Sequence, residues 1–370
     1  MKFGLFCEWP NPSTGDWKRV FEEGIEQIQY SEALGFDFVL IAEHHYSNYG
    51  MSPAPLMEAL YIAERTKRLR IATGVLVLPH WPPLRLAEEV AVLDNLSDGR
   101  FICGIGRGFQ PYEFAGFGVA PEQSRTRFDE SLDVLLKAWT SDKQFTYDGQ
   151  YIKVPDPVAV WPKPKQKPHP PLWVAGSSDD TIKMAAERDI VPITSSFLGI
   201  ERIRAAAALW TRTRKEIGKP VDGLELGIQT MTHVAETDEE ARANMSYARW
   251  QNRANRALNR KDVKDGRANA VTYPGEANDD DFYRTLFYGS PETVAAKYRV
   301  LAENGATFVS CWMSVGGMEQ EKIMKSIRLM GEQIIPQLRD VHPPAGLARD
   351  LLREPVAVAA GRVEGLLPPT

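Results

Sequence analysis

Short apolar segments alternate with longer amphipathic segments along most of the chain, and this alternation constrains the fold more than any other feature. The apolar segments end at turn residues, as buried strands do, whereas the amphipathic segments carry apolar residues at helical spacing. Eight strand-and-helix units predict a (β/α)8 barrel, with a doubly wound open sheet as the alternative. The predicted strands are residues 2–9, 36–41, 69–78, 100–105, 172–175, 190–194, 224–234 and 306–313.

Two segments interrupt the predicted barrel, and one follows it. Residues 141–171 combine an Asp148-Gly149 hairpin turn with a proline-rich connector, which predicts an insertion. Residues 260–289 are charged and largely aperiodic, and a segment of this length predicts a lid loop. We therefore expect one barrel domain over residues 1–340 and a peripheral C-terminal tail over residues 341–370.

Composition narrows the classes of partner. A net charge of −5 and a pI near 5.8 give no electrostatic reason to expect nucleic acid or an anionic membrane surface as a partner. The three cysteines are far apart in the sequence, which predicts a reducing compartment without disulfides, and the cytoplasm is the simplest assignment. Neither a signal peptide nor an apolar run of membrane-spanning length is apparent.

The second predicted strand ends in Glu43, His44 and His45, which together hold two of the six histidines. Because side chains alternate across a strand, Glu43 and His45 are predicted to point to one side and His44 to the other. Ligands collect at the carboxyl ends of parallel strands, so His44 is the first candidate for chemistry, against the alternative of a structural histidine. No third ligand is apparent beside Glu43 and His45, and no metal site is predicted.

A glycine-rich segment, residues 104–108, follows the fourth predicted strand. Its spacing is not GxGxxG, and residues 109–111 are not expected to open a helix, so we reject a dinucleotide-binding turn. Arg107 in this loop can pair with an anion or lie against a flat ring. The alternative is a surface turn with a solvated arginine.

Residues 176–181 join the fifth predicted strand to a helix and contain three hydroxyl side chains. Free backbone N–H groups at a helix start make an anion site, and phosphate is the expected ligand. The alternative is that Ser178 or Asp179 only caps the helix. Asp179 and Asp180 would repel phosphate, so both are predicted to point outward.

The chain shows no obvious chemistry of its own. It has no GxSxG sequence, and Cys103 lies within a predicted strand, so a serine or cysteine nucleophile is unsupported. This absence favours a bound organic cofactor as the reactive species.

Taken together, the segments resemble the bacterial luciferase-like, flavin-dependent monooxygenases. The resemblance runs from about residue 2 to residue 338, and each segment is modest alone but specific in this order and spacing. The matching segments are residues 42–45, 73–100, 104–108, 174–177 and 287–294.

The resemblance implies a barrel that binds reduced FMN, which a separate NAD(P)H:flavin reductase delivers. The reduced flavin would react with O2 to give a C4a-peroxyflavin that oxygenates a small, mostly apolar organic substrate by hydroxylation or a Baeyer–Villiger reaction. Two alternatives remain on the same barrel. One is a deazaflavin F420-dependent hydride-transfer oxidoreductase, and the other is a non-catalytic partner subunit.

The resemblance also implies roles for individual residues. His44 matches a catalytic histidine near the flavin, where it would act by hydrogen bonding or proton transfer. The Gly74-Val75 pair matches a position that often has a non-proline cis peptide under the flavin ring, and Arg107 matches an arginine at the flavin phosphate. The implied phosphate loop comprises Ala175, Gly176, Ser177, Ser178 and Thr181.

One departure from the family concerns Gly106, which stands where luciferase carries a reactive cysteine beside the flavin. The departure predicts a roomier pocket at this position, so oxidation of long-chain aldehydes with light emission is not implied. His45 and Glu88 fall where the family makes subunit contacts, and a homodimer is therefore expected.

Overall fold

The computed structural model describes residues 1–223 and 225–353. Its largest sheet contains ten strands and closes into a barrel of eight parallel strands. In chain order the strands are β1 (Lys2–Cys7), β2 (Phe38–Ile41), β3 (Arg70–Thr73), β4 (Leu76–Val77), β5 (Phe101–Gly106), β6 (Phe145–Asp148), β7 (Lys153–Val158), β8 (Leu172–Ala175), β9 (Val191–Ser195), β10 (Gly227–Val234), β11 (Val263–Lys264), β12 (Arg267–Ala268), β13 (Phe287–Gly289) and β14 (Phe308–Trp312).

The barrel runs β1, β2, β3, β5, β8, β9, β10 and β14, and then returns to β1. Closure is visible in the register, because Gly4 of β1 pairs with Phe38 on one side and with Ser310 of β14 on the other. In an open sheet β1 and β14 would not meet, so the (β/α)8 prediction is confirmed and the doubly wound alternative is wrong. β13 adds to the outside of the ring by pairing with the end of β10.

Helices follow the barrel strands and cover the outside of the ring, as apolar stripes on amphipathic segments require. The longer helices match the predicted amphipathic segments, and Ser178 and Ser290 cap helix starts through their hydroxyls. In chain order the helices are α1 (Trp17–Ala33), α2 (Pro55–Arg65), α3 (Pro83–Leu96), α4 (Pro111–Gly116), α5 (Ser124–Thr140), α6 (Asp179–Arg188), α7 (Gly199–Glu216), α8 (Asp238–Ala243), α9 (Met245–Asn259), α10 (Asp279–Thr285), α11 (Pro291–Glu303), α12 (Gln320–Leu329), α13 (Ile335–Leu338) and α14 (Leu347–Leu351).

The third predicted strand, residues 69–78, is not continuous. Ala72 of β3 pairs with Ile102 of β5, whereas Leu76 of β4 pairs with Ile105, so this strand holds one residue more than its partner. The extra residue makes a β-bulge, which bends a strand and is common beside active sites. The Gly74-Val75 bond within the bulge is cis, as the resemblance implied.

The hydroxyl of Thr73 holds the bulge against β5. It donates to the carbonyl of Gly104 at 2.8 Å and accepts the N–H of Gly104 at 3.0 Å, and all these groups are buried. No side chain fits at position 104, because a Cβ there would lie 1.7 Å from the carbonyl oxygen of Thr73. The close approach of the two strands therefore depends on a glycine and a threonine together.

Replacing Thr73 with valine tests this contact. Valine keeps the shape of threonine but leaves the Gly104 N–H and carbonyl without these partners, which costs about 1–3 kcal/mol for a buried group. We expect a lower midpoint in urea unfolding, measured by circular dichroism. Thr140→Val, on the exposed end of α5, is the control and should change the midpoint little. Equal midpoints for Thr73→Val and the unsubstituted protein would contradict the assignment.

The structure also tests three local predictions, of which it corrects one, completes one and confirms one. Residues 109–111 were not expected to open a helix, but α4 begins at Pro111, because proline is well suited to the first helical position. The predicted lid is not wholly irregular, since it contains the β11–β12 hairpin and α10. The hairpin predicted in the insertion is confirmed as the antiparallel β6–β7 pair.

The predicted tail begins as packed structure, because Leu347 and Leu351 of α14 are buried in the main core. Residues 354–370 of that tail lie outside the described residues. Among the described residues, no helix is both long and apolar enough to cross a membrane.

Candidate active site

The ring of His44 lies between two carboxylates at the carboxyl end of the barrel. Its Nε2 is 2.9 Å from Oε1 of Glu8, and its Nδ1 is 2.8 Å from Oε1 of Glu113. Glu8 directly follows β1, and Glu113 lies on α4, the short helix after β5. Three strand ends therefore supply one compact cluster, in which the side chain of His44 is 11% exposed.

Burial and the two carboxylates act in opposite directions on His44. Burial alone lowers the pKa of the imidazole, but the charges and hydrogen bonds of Glu113 and Glu8 outweigh it and raise the pKa to about 10. Burial also raises the pKa of Glu8, although His44 opposes that rise. The raised pKa favours the imidazolium form of His44, in which the two ring N–H groups donate to Glu8 and Glu113. Another molecule can accept a hydrogen bond from this ring only by replacing Glu8 or Glu113.

The cluster is tied to α9, the helix that leads into the predicted lid. The side-chain amide of Gln251 donates to Oε2 of Glu8 at 3.0 Å and to the carbonyl of Tyr49 at 3.1 Å. The ring of Tyr49 stands edge-on to His44, with the ring centroids 4.8 Å apart. A movement of α9 would therefore change the positions of Glu8 and Tyr49, which contact His44.

Glu43 and His45 lie on the opposite side of the strand end from His44, which confirms the alternation predicted from sequence. Nε2 of His45 is 3.0 Å from Oε1 of Glu43, and the backbone N–H of Val77 donates to Oε2 of Glu43 at 2.9 Å. The expectation that Glu43 and His45 lack a third metal ligand is wrong. His80 follows β4, which is next to β2 in space but distant in sequence, and its Nδ1 lies 3.9 Å from Oε1 of Glu43.

The predicted cofactor residues lie on the same rim as His44. Ile41 of β2 pairs with Thr73 of β3, which places Gly74-Val75 beside the strand end that carries His44. Gly106 of β5 pairs with Val77 of β4, and Ile105 pairs with Val174 of β8. The loops that contain Arg107 and Gly176 therefore leave neighbouring strands, and the predicted site residues span four consecutive strand positions.

In the predicted phosphate loop, Ser178 caps the start of α6. Its hydroxyl accepts the N–H of Thr181 at 3.3 Å and lies 2.8 Å from the Thr181 hydroxyl. Asp179 and Asp180 are exposed, as predicted, and face Arg202 and Arg125. The start of α6 therefore presents its N–H groups without a carboxylate turned into the loop.

Arg107 is exposed, and its guanidinium makes no hydrogen bond or ion pair with any of the described residues. An arginine with no partner in the folded chain retains all its donors for an incoming anion. The same observation fits the alternative of a solvated surface turn.

The expectation of a roomier pocket at Gly106 is wrong. A Cβ at this position would lie 2.4 Å from Cγ2 of Val75, so the neighbouring side chain already fills the space that a cysteine would need. The cause is the bulge, which turns Val75 toward β5. Gly106 is therefore needed for packing rather than for added volume.

A cavity of about 640 Å³ opens beside His44. Among the predicted site residues His44 alone lines it, so this cavity is distinct from the cofactor loops. Aromatic and other apolar side chains form much of the wall, and residues of the lid close one side. The lining residues are Thr14, Trp17, Phe21, His44, Tyr46, Ser47, Asn48, Gly50, Met51, Pro53, Asp265, Gly266 and Arg267.

The lid is docked onto the rim. The backbone N–H of Asn48 donates to the carbonyl of Gly266 at 2.8 Å, and the N–H of Ala268 donates to the side chain of Asn48 at 2.9 Å. Behind this contact, Arg253 forms two hydrogen bonds with Glu276 at 2.7 and 2.9 Å. The β11–β12 hairpin therefore covers the loop after His44 and limits the access of water from that side.

Sequence reasoning missed Glu8, Glu113 and His80. Glu8 directly follows β1 and His80 closes the short turn after β4, and this position at a strand end was the available indication, whereas Glu113 lies within α4 and gave no such indication. Glu8 and Glu113 contact His44, and His80 lies beside Glu43. Each of these pairs is more than 30 residues apart along the chain, so only the folded barrel brings its members together.

The sequence profile of the luciferase-like monooxygenases matches residues 1–307. The chain is 31% identical over 327 residues to the uncharacterized protein y4vJ of Sinorhizobium fredii, which covers 86% of this chain and 92% of that protein. It is 28% identical over 245 residues to the oxygenase component of a flavin-dependent trigonelline monooxygenase of Acinetobacter baylyi, covering 65% of this chain and 67% of that one.

Solved structures share the fold. The monooxygenase RslO1 from Streptomyces bottropensis is 28% identical with a TM-score of 0.77, covering 91% of this chain and 99% of that one. The oxygenating constituent of 3,6-diketocamphane monooxygenase from Pseudomonas putida, solved with FMN, is 21% identical with a TM-score of 0.76 and coverage of 93% and 99%. An F420-dependent secondary alcohol dehydrogenase is 18% identical with a TM-score of 0.72 and coverage of 92% and 99%. The profile match over most of the chain shows that this protein belongs to the luciferase-like monooxygenase family.

Proposed function

We propose that this chain is the oxygenating component of a two-component monooxygenase, which takes reduced FMN from a separate NAD(P)H:flavin reductase. The observation that carries the proposal is the meeting of the His44 cluster, the Gly74-Val75 bulge and both predicted phosphate-binding loops on one rim. Reduced flavin supplies the chemistry, because it gives two electrons to O2, so that one oxygen atom enters the organic substrate and the other leaves as water.

The rim has unused polar groups that suit a flavin. Gln110 after β5, Thr194 of β9 and Trp312 of β14 are buried, and their side-chain polar atoms have no hydrogen-bond partner among the described residues. Buried polar groups are normally hydrogen-bonded, so their presence at strand ends points to a polar ligand. The edge of a flavin ring carries both donors and acceptors, and a flavin therefore fits this set.

The phosphate of FMN would lie between the two neighbouring loops. Arg107 offers a guanidinium that makes no hydrogen bond or ion pair with the described residues, and Ser177 offers a hydroxyl beside the start of α6. A helix start favours an anion because its first N–H groups have no partner within the helix. These groups are supplied by adjacent strands, so one phosphate can reach both.

His44 is proposed to donate a hydrogen bond or a proton to the reacting oxygen. Its Nε2–H and Nδ1–H point at Glu8 and Glu113, and either carboxylate can hold the ring while the other is replaced by a ligand. The docked hairpin limits water beside this group, and exclusion of water suppresses wasteful side reactions.

The substrate is proposed to be a small and mostly apolar organic molecule. Trp17, Phe21 and Met51 supply apolar surface in the cavity beside His44, and the volume is within the usual range for a ligand pocket. Hydroxylation and Baeyer–Villiger oxidation both fit this surface.

We also propose that the chain forms a homodimer through α2 and α3, which are neighbouring helices. Met57 and Tyr61 of α2 are 75% and 45% exposed, and Val92 and Leu96 of α3 are 41% and 58% exposed. Each pair is spaced four residues apart and so lies on one helix face. Glu88 is exposed one turn before Val92, in keeping with the expected subunit contact, whereas the side chain of His45 is only 10% exposed.

Leu96→Asp tests the dimer. Two-fold symmetry puts the substitution into the interface twice, and burial of an unpaired carboxylate should weaken association by at least ~2 kcal/mol, or about 30-fold in the dissociation constant. In light scattering of a dilution series, the variant should dissociate into monomers at a higher protein concentration than the unsubstituted protein does. Ile217→Asp, at an exposed apolar residue after α7, is the control and should leave the mass unchanged. A monomeric unsubstituted protein would contradict the dimer.

Anaerobic titration tests the cofactor. The protein is titrated separately with reduced FMN, oxidised FMN and F420, and binding is followed by absorbance and tryptophan fluorescence. We expect reduced FMN to bind more tightly than F420. Preferential binding of F420 would instead support hydride transfer, and binding of none of them would support a non-catalytic subunit.

A further inference from the structure

We propose that Glu43, His45 and His80 form a binding site for one divalent transition-metal ion, of which Zn²⁺ is the most suitable. The three side chains lie on the side of the strand end opposite to His44, between β2 and the short 3-10 turn Leu78–His80 that follows β4. The proposed site adjoins the flavin rim but shares no side chain with the His44 cluster, and it does not depend on the proposed oxygenation.

The potential ligand atoms are already close together. Oε1 of Glu43 is 3.0 Å from Nε2 of His45 and 3.9 Å from Nδ1 of His80, and one ligand atom from each residue lies within 4.8 Å of the others. Three ligands at about 2.0–2.2 Å from one tetrahedral ion lie roughly 3.3 Å from each other. Modest rotations of the two rings would bring the set to that spacing.

His80 gives an independent reason to expect a ligand. Its side chain is 1% exposed, yet neither ring nitrogen has a hydrogen-bond partner among the described residues. The ring is stacked on Phe117 with centroids 4.2 Å apart and an angle of 12° between the planes. Stacking fixes the ring plane but satisfies neither nitrogen, and a buried polar group without a partner is costly. A metal ion bound at Nδ1 would satisfy one nitrogen directly.

Contacts outside the three ligands already orient the carboxylate. Oε2 of Glu43 accepts the backbone N–H of Val77 at 2.9 Å and the indole N–H of Trp81 at 3.0 Å, and the same indole N–H is 3.2 Å from Oε1. Such outer contacts are typical of metal-binding carboxylates, because they fix the oxygen that faces the ion. Oε1 is the oxygen turned toward both histidines.

The donor set selects the class of ion. Two imidazole nitrogens and one carboxylate oxygen suit Zn²⁺ and similar transition metals, whereas Ca²⁺ and Mg²⁺ prefer oxygen donors alone. Bound metal would join the end of β2 to the turn after β4, the strand segment that follows the Gly74-Val75 bulge. We therefore expect the ion to stabilise the fold rather than to take part in oxygen chemistry.

The test uses full-length protein that has been treated with a chelator and dialysed, without flavin. Titration with ZnCl2 in a calorimeter should show one ion bound per chain, and thermal melting should shift to a higher temperature with Zn²⁺ but not with Mg²⁺. His80→Phe keeps an aromatic ring to stack on Phe117 but supplies no ligand, and it should weaken Zn²⁺ binding at least tenfold. His342→Ala removes an exposed histidine elsewhere and is the matched control.

Cobalt gives a readout that needs no variant. Co²⁺ bound by these nitrogen and oxygen donors in tetrahedral geometry has intense visible absorption bands, whereas hydrated Co²⁺ does not. Bands that saturate at one Co²⁺ per chain and disappear when Zn²⁺ is added would support the site even if His80→Phe did not fold. Failure to bind Zn²⁺ stoichiometrically, or equal Zn²⁺ affinity in His80→Phe and His342→Ala, would overturn the proposal.

Discussion

His44→Ala is expected to retain FMN binding and to lose most product formation. Affinity for reduced FMN should change little, because the predicted phosphate contacts are on other strands, whereas product formed per reduced flavin consumed should fall about 100-fold if the ring supplies general acid catalysis. The measurement pairs product yield with hydrogen peroxide release, since flavin that reacts without oxygenating substrate yields peroxide. We expect peroxide to rise as product falls.

Stability must be measured alongside this variant. Removing the imidazolium leaves Glu8 and Glu113 without their shared partner, and loss of one member of a buried ion pair costs about 3–5 kcal/mol. His44→Gln, which retains one N–H donor, is the milder variant. His169→Ala is the control, because His169 precedes β8 at the opposite end of the barrel. Unchanged product yield in folded His44→Ala would contradict the role of His44.

Arg107→Ala is expected to weaken the binding of reduced FMN by about 1.5–3 kcal/mol, which is the usual contribution of a charged hydrogen bond. This loss corresponds to a roughly 10- to 150-fold higher dissociation constant. Arg107→Lys should lose less, because it keeps the charge but not the planar pair of donors. Riboflavin gives the sharpest control, since it has the same ring system without the phosphate. Its affinity should be the same in all three proteins.

The outcome separates two readings of an exposed arginine. Loss of FMN affinity with riboflavin unchanged assigns Arg107 to the phosphate. Equal FMN affinity in Arg107→Ala and the unsubstituted protein would make Arg107 a solvated surface residue and would leave the loop around Gly176 as the remaining candidate.

The barrel was predictable because each strand and each helix carries its own local pattern. Buried strands such as β5 are continuously apolar, and helices such as α1 show apolar residues at helical spacing with a capping residue, Asp16. For the break between β3 and β4 the only local indication was Gly74, because a glycine inside a strand often marks a bulge or a close approach. Thr73 and Gly74 fit a strand as well as a bulge, and only the approach of Gly104 from the neighbouring strand selects the bulge.

The candidate site was likewise predictable only where the relation between residues is local. Strand alternation was sufficient to separate His44 from His45, because that relation is local. The partners of His44 could not be identified from the sequence, because Glu8 and Glu113 follow other strands. The packing of Val75 against Gly106 likewise depends on two strands at once, and for this reason the prediction of extra space was wrong. Both differences at the site arise from contacts between segments that are distant in sequence.

The most direct test of the account is the reaction of bound reduced FMN with oxygen. Protein loaded anaerobically with reduced FMN is mixed rapidly with O2, and flavin absorbance is followed over time beside free reduced FMN. We expect a transient spectrum that differs from both reduced and oxidised FMN and that decays faster when an oxidisable substrate is present. Reoxidation without a transient, at the rate of free reduced FMN, would contradict the proposal that this rim activates oxygen for insertion into a substrate.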